Sequence, residues 1–130
     1  MIFLDSSYII SLIFENDKNH FKAMQIRDLV EDEAKMINNT VLNEVLNSLK
    51  PKNYRLEVNY IINRLLSLQK IDYLNYDDYI TSINIFKYYN QSLNFADCTI
   101  LKSMFDNNVS QIISFDDDFE KIKGITTVNF

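Results

Sequence analysis

The residues in this chain best suited to chemistry are carboxylates. Asp5, Glu44, Asp97 and Asp116 all stand near the start or end of a predicted element. Asp5 closes the apolar run Ile2-Phe3-Leu4, and Asp116 follows a short strand read from Gln111 to Ser114. Asp97 falls in the first turn of a helix that Asn94 can cap, on the stripe continued by Ile100, Leu101, Met104 and Phe105. Glu44 lies in the first turns of another helix, beside the stripe Leu42, Val45, Leu46 and Leu49. Four carboxylates brought into one small volume repel each other, and the usual resolution is a divalent cation. A donor set of hard oxygens without His or Cys favours Mg²⁺ or Mn²⁺. Such an ion keeps several waters, and a water polarised by it can attack a phosphodiester while the metal stabilises the developing charge.

Each acid also has a plainer use. Asp97 can be the third-position acid of a capping box with Asn94. Asp5 can cap the first helix, and Glu44 can be a surface residue favoured by a helix dipole. Asp116 or Asp118 can cap a short helix near the end. Singly these positions are weak signals; as an ordered set they are much stronger.

The elements that must position them alternate between strand and helix. Ile2 to Asp5 reads as a strand, followed by a helix from Ser6 or Ser7 to Phe14 and a second from Asp17 to Val30. A strand at Lys35–Asn38 precedes a helix from Asn39 or Thr40 to Leu49, which Pro51 ends. A long amphipathic helix follows from Asn53 to Leu68, with Leu56, Tyr60, Ile61, Leu65 and Leu68 predicted inward. Ile71–Leu74 is a brief strand, and Asn75 caps a helix to about Asn90. After the Asn94 helix and the Gln111 strand, Asp116 to Ile122 makes one or two helical turns, and Thr126–Val128 is a last strand. This alternation predicts an α/β sandwich with a mainly parallel sheet, and ligands in such folds bind outside the carboxyl ends of the strands.

Composition sets the outer bounds. The chain has 130 residues, 47% hydrophobic and 24% charged, which suits one domain over 1–130 with a real core. A single Cys excludes an internal disulfide and a Cys-based zinc site, so the cytoplasm is the simplest compartment. No signal peptide or membrane-spanning run is predicted. The net charge of −5 argues against coating nucleic acid by charge alone, although Lys50–Lys70 carries a local balance of +4. Asp28–Glu33 reads as a solvated acidic helix end, His20 as a structural residue, and Cys98 as a small buried one.

The segments Ile2-Phe3-Leu4-Asp5-Ser6-Ser7, Asn39-Thr40-Val41-Leu42-Asn43-Glu44-Val45, Phe95-Ala96-Asp97-Cys98-Thr99-Ile100 and Ile113-Ser114-Phe115-Asp116-Asp117-Asp118-Phe119 together resemble the PIN-domain ribonucleases, and among them the VapC-type toxins of toxin–antitoxin pairs. Order and spacing match over essentially the whole chain. The resemblance implies a three-layer α/β/α sandwich and an endoribonuclease dependent on Mg²⁺ or Mn²⁺. It makes Asp5, Glu44, Asp97 and Asp116 the acidic centre, with Asp5, Asp97 and Asp116 holding metal. Ser7 and Ser114 are then hydroxyl neighbours that orient ligands or water. It further implies a homodimer and a small antitoxin partner whose basic side chain reaches into the acidic site. Cys98 departs from the family's frequent Ala. The run Asp116-Asp117-Asp118 leaves the fourth acid ambiguous, and Asp118 is expected as a helix cap or an outer ligand. The alternative function is an inactive PIN-like binding module. A phosphotransfer domain fits less well, since the residue two after Asp5 is Ser7.

Overall fold

In the computed structural model, residues 1–50 and 55–128 are described, with the side chains of residues 55 and 56 outside the description. Five strands form one all-parallel sheet: β1 (Ile2–Leu4), β2 (Lys35–Asn38), β3 (Lys70–Asp72), β4 (Gln111–Ile113) and β5 (Thr126–Thr127). Six helices alternate with them: α1 (Ser6–Ile13), α2 (His20–Leu29), α3 (Asn39–Leu49), α4 (Arg55–Leu66), α5 (Tyr76–Tyr88) and α6 (Phe95–Asp106). A 3₁₀ turn, Asp117–Lys121, connects β4 to β5. The α/β sandwich of the sequence is therefore present. Pro51, Asn53 and Tyr54, where a helix end and a helix start were predicted, lie outside the described residues.

The strand order is β3-β2-β1-β4-β5. The chain winds outward from β1 to β3, then returns to the far side of β1 for β4. That reversal makes the gap between β1 and β4 the topological switch point, where the crossovers diverge and a crevice opens at the carboxyl ends of the strands. Right-handed crossovers place α1 to α4 on one face and α5 and α6 on the other. In keeping with this, α1 packs on α2 and α3, while α5 packs on α6.

The central strands are buried along their length because helices cover both faces. Phe3, Met36 and Ile112 are fully buried and lie side by side in register. Tyr8, Ile26, Val45, Leu101, Met104 and Phe119 complete one continuous core. Among the described residues Leu46, at 37% exposure, lies at the edge of its stripe, and two aromatic residues depart further from their predicted facing. Tyr60 is 65% exposed and Phe105 50% exposed. Tyr60 stands on the rim of an apolar groove of about 780 Å³ between α1 and α4 instead of entering the core. The apolar stripe of α6 is filled on its buried side by Ile100, Leu101 and Met104, leaving Phe105 outside.

Helix ends set the functional side chains. Asn38, fully buried, caps α3 by accepting the Val41 N–H at 3.0 Å. Asn94 caps α6 by accepting the Asp97 N–H at 2.9 Å. Between α5 and α6 the chain turns back through Asn90 and Gln91, at φ 53° and 60°. A short polar side chain tolerates that left-handed backbone better than a branched one, which suits Asn at the first of the two.

Candidate active site

Asp5 follows β1 directly and is 5% exposed. Its Oδ1 accepts the Ser6 N–H at 2.8 Å, so it does cap α1. Its Oδ2 accepts hydroxyl bonds from Ser7 at 3.0 Å and Ser114 at 2.6 Å. The two hydroxyls are 3.3 Å apart and each receives a backbone N–H of the segment after β4: Ser7 from Phe115 and Ser114 from Asp116, both at 3.0 Å. The serines thus stitch the carboxyl ends of β1 and β4 together across the switch point and fix the Asp5 carboxylate. A buried carboxylate bound by three donors is held in one orientation.

Glu44 arrives from α3 with its Oε2 accepting the Ser6 hydroxyl at 2.9 Å. Burial raises its pKa, the Ser6 bond opposes this, and the charges of Asp5 and Asp116 raise it further. Asp97 lies in the first turn of α6 at 4% exposure. The plainer capping-box reading covers only half of its situation. Asn94 accepts from the Asp97 backbone, but the reciprocal carboxylate bond that Asp78 makes to Asn75 is not part of this cap. Instead Asp97 Oδ2 is buried with no hydrogen-bond partner among the described residues. Burial, then the charges of Asp5 and Asp118, the close approach of the Asp118 carboxyl, and the charge of Asp116 push its pKa up to about 8. Burial pushes the Cys98 thiol beside it up to about 11, which leaves it an unreactive packing group.

Asp116 stands where the 3₁₀ turn begins but makes no side-chain cap bond. Its pKa is raised by burial and by the charges of Asp118, Asp5 and Asp117. Asp97, Asp116 and Asp118 each bring a carboxylate oxygen within 4.8 Å of the other two. Asp118 therefore enters the cluster itself. Asp5, Ser7, Glu44, Asp97 and Asp116 line one cleft of about 350 Å³, together with Ser6, Asn94 and Phe115. Among the described residues lining it, none is basic. An orphaned buried oxygen and carboxylates that raise one another's pKa are what a missing positive charge leaves behind, and the all-oxygen donor set fits a hard divalent cation.

The sequence reading missed a second group on the same cleft: Ser11, Asp17 and Asn19. The available signal was Ser7 and Ser11, one turn apart on α1 and so on one helix face. His20 takes a structural place, its Nδ1 lying 2.8 Å from the Ser11 carbonyl oxygen.

Comparison with known proteins agrees with this architecture. The model of the PIN domain family matches residues 2–125, and the chain belongs to that family. Among solved structures it is similar to the Mycobacterium tuberculosis VapC20 toxin, described as cleaving the sarcin–ricin loop, with 21% identity, a TM-score of 0.78, and 92% of this chain and 93% of that one covered. It is similar to VapBC2 from Rickettsia felis bound to a promoter DNA fragment, with 14% identity, a TM-score of 0.70, and coverage of 99% and 98%. It is also similar to FitAcB from Neisseria gonorrhoeae, with 14% identity, a TM-score of 0.71, and coverage of 99% and 97%. At these identities the likeness is one of fold. Comparison with curated proteins by sequence returns no match. Among the described residues no helix is long and apolar enough to cross a membrane.

Proposed function

We propose that the chain is a metal-dependent endoribonuclease that hydrolyses RNA phosphodiester bonds, and the toxin of a type II toxin–antitoxin pair. The observation that carries this reading is the buried, partnerless Oδ2 of Asp97 among carboxylates drawn to the switch point from four separate elements. Asp5, Asp97 and Asp116 would hold Mg²⁺ or Mn²⁺, with Asp118 as a further ligand. When bound, the ion supplies the positive charge these acids lack, lowers the pKa of water, and offsets charge on a phosphoryl oxygen.

The chain's own residues do the remaining work. Ser7 and Ser114 keep the Asp5 carboxylate fixed, so the site needs no reordering when substrate arrives. Glu44 keeps one oxygen on Ser6, and its other oxygen can take a proton from an attacking water. Fold neighbours that include toxin–antitoxin assemblies support a small protein partner. The apolar groove between α1 and α4 is a surface such a partner could cover.

The test is cleavage of a structured RNA with Mg²⁺ or Mn²⁺ and with EDTA, alongside thermal melting. Cleavage should stop in EDTA. Added Mn²⁺ should raise the melting temperature, as a ligand that binds only the folded state must. Asp116→Asn and Asp118→Asn should both reduce that rise. Full cleavage in EDTA would sink the metal mechanism, and no cleavage of any RNA would sink the nuclease reading.

A further inference from the structure

The cleft continues past the acids. Ile10, Ser11, Asp17 and Asn19 line it as well, and these residues, beyond Ser7 on α1 and in the turn that follows, are taken as its outer end, with Phe115 between them and the acids. Ser11 lies one helical turn beyond Ser7 on α1, roughly 6 Å along the axis. A strand with its scissile phosphate at the acids therefore brings a neighbouring nucleoside here. Asp17 is held from both sides of the α1–α2 turn: its Oδ1 receives the Ser11 hydroxyl at 2.9 Å and the Asn19 N–H at 2.8 Å. Its Oδ2 has no partner among the described residues. With no basic group on the wall, this end does not suit a phosphate; it suits the uncharged part of a nucleotide. Phe115, tied through its backbone N–H to Ser7, adds an aromatic surface on which a base can stack.

We propose that this outer end is a guanine subsite, an inference that rests on the ribonuclease reading above. An ionised Asp only accepts hydrogen bonds, whereas the Asn amide can donate one. The Watson–Crick edge of guanine presents one acceptor, O6, followed by two adjacent donors, N1–H and the N2 amino group. Asp17 Oδ2 matches the two donors, and the Asn19 side-chain amide matches O6. In adenine, cytosine and uracil every donor on that edge has an acceptor as its immediate neighbour, whose lone pair faces the carboxylate. A site built to pair polar groups rejects a ligand that leaves them unpaired.

The experiment is an amide-shift NMR titration with GMP, IMP, AMP, CMP and UMP, in EDTA and again in Mg²⁺. The shifts should fall on Ser11, Asn19 and Phe115. GMP should bind about 10-fold tighter than AMP, CMP or UMP, the order expected for a matched base edge, with IMP between because it lacks the N2 amino group. Asp17→Asn keeps the oxygen that Ser11 and Asn19 use but replaces the free one, so it should bring GMP to the level of AMP. Asn19→Ala should also weaken GMP and serves if Asp17→Asn fails to fold by thermal melting. Equal GMP and AMP affinities, a preference unchanged in these variants, or no saturable shift with any nucleotide would overturn the subsite. Base preference is a ratio at constant phosphate, so it is read whether or not RNA is cut. GMP preference without cleavage sinks only the ribonuclease reading; cleavage without GMP preference sinks only the subsite.

Discussion

Asp97 carries two roles in one residue, and the two can be separated. Its backbone N–H belongs to the cap made by Asn94, while its side chain ends in an unpaired buried oxygen. Asp97→Asn therefore keeps the cap and removes one charge from the cluster. Cleavage and metal affinity should fall sharply, while the metal-free protein should melt no lower than the parent. The pH dependence has a definite sign. The Asp97 carboxyl titrates at 3.8 as a free side chain and at about 8 in the metal-free fold. Between those values the folded state holds the proton more tightly than the unfolded one. Its contribution is thus full below 3.8 and is lost as pH rises to about 8. Melting in EDTA across that window should show stability falling with pH in the parent and falling less in Asp97→Asn. Parallel curves for the two proteins would contradict the origin assigned to the shift. The sequence placed this acid on a buried stripe beside apolar residues, which is visible in helical spacing. It could not show that the Asp118 carboxyl would meet it, because that contact depends on where a separate turn docks.

At the scale of elements, α3 and α6 bring Glu44 and Asp97 from opposite faces of the sheet, and buried polar contacts join them. The amide of Asn38 donates to Ser103 Oγ at 3.1 Å, and Thr40 and Thr99 bring their hydroxyl oxygens within 3.0 Å. Asn38 therefore caps one helix and satisfies a hydroxyl of another. Asn38→Ala should cost about 2–3 kcal/mol, the sum of a lost cap and an unsatisfied buried hydroxyl. The capping residue Asn75 is exposed and has no such second partner among the described residues, so Asn75→Ala should cost only about 1 kcal/mol. Denaturant unfolding of the two variants measures the difference, and equal losses would remove the inter-helix role. The helix starts after Asn75 and Asn94 were readable because both are strong caps, whereas Asn38, read only as the end of a strand, proves to be the cap of α3. The 3₁₀ turn was readable as helical. Which acid of Asp116-Asp117-Asp118 would meet Asp97 was left open by the sequence, and both Asp116 and Asp118 come within reach of it.

Across the whole molecule, the alternation of strands and helices was legible, and the strand order was not. Nothing in local pattern says that β4 must return to the far side of β1, yet that reversal creates the cleft. Surface character is the second global feature. Tyr76, Ile80 and Ile83 form one stripe on α5 at helical spacing, each more than a third exposed, and Tyr88 is 78% exposed. Exposed apolar side chains gathered on one helix face are the kind of surface that a partner covers. The expected outcome is a homodimer at protein concentrations on the order of tens of micromolar, with Ile80→Lys and Ile83→Lys together producing a monomer. Light scattering decides, and a monomeric parent would count against it.

The bond from Ser114 to Asp5 spans 109 positions of the chain. Asp5 is thus made well before the Ser114 hydroxyl that helps orient it. While the chain is still growing, β1 has no neighbour on its β4 side, and Asp5 lacks Ser114 beside it. Closing so long a loop is also among the later and slower events of folding. Until β4 docks beside β1, Asp5 is without the hydroxyl that fixes it, so the acidic cluster is completed late in folding.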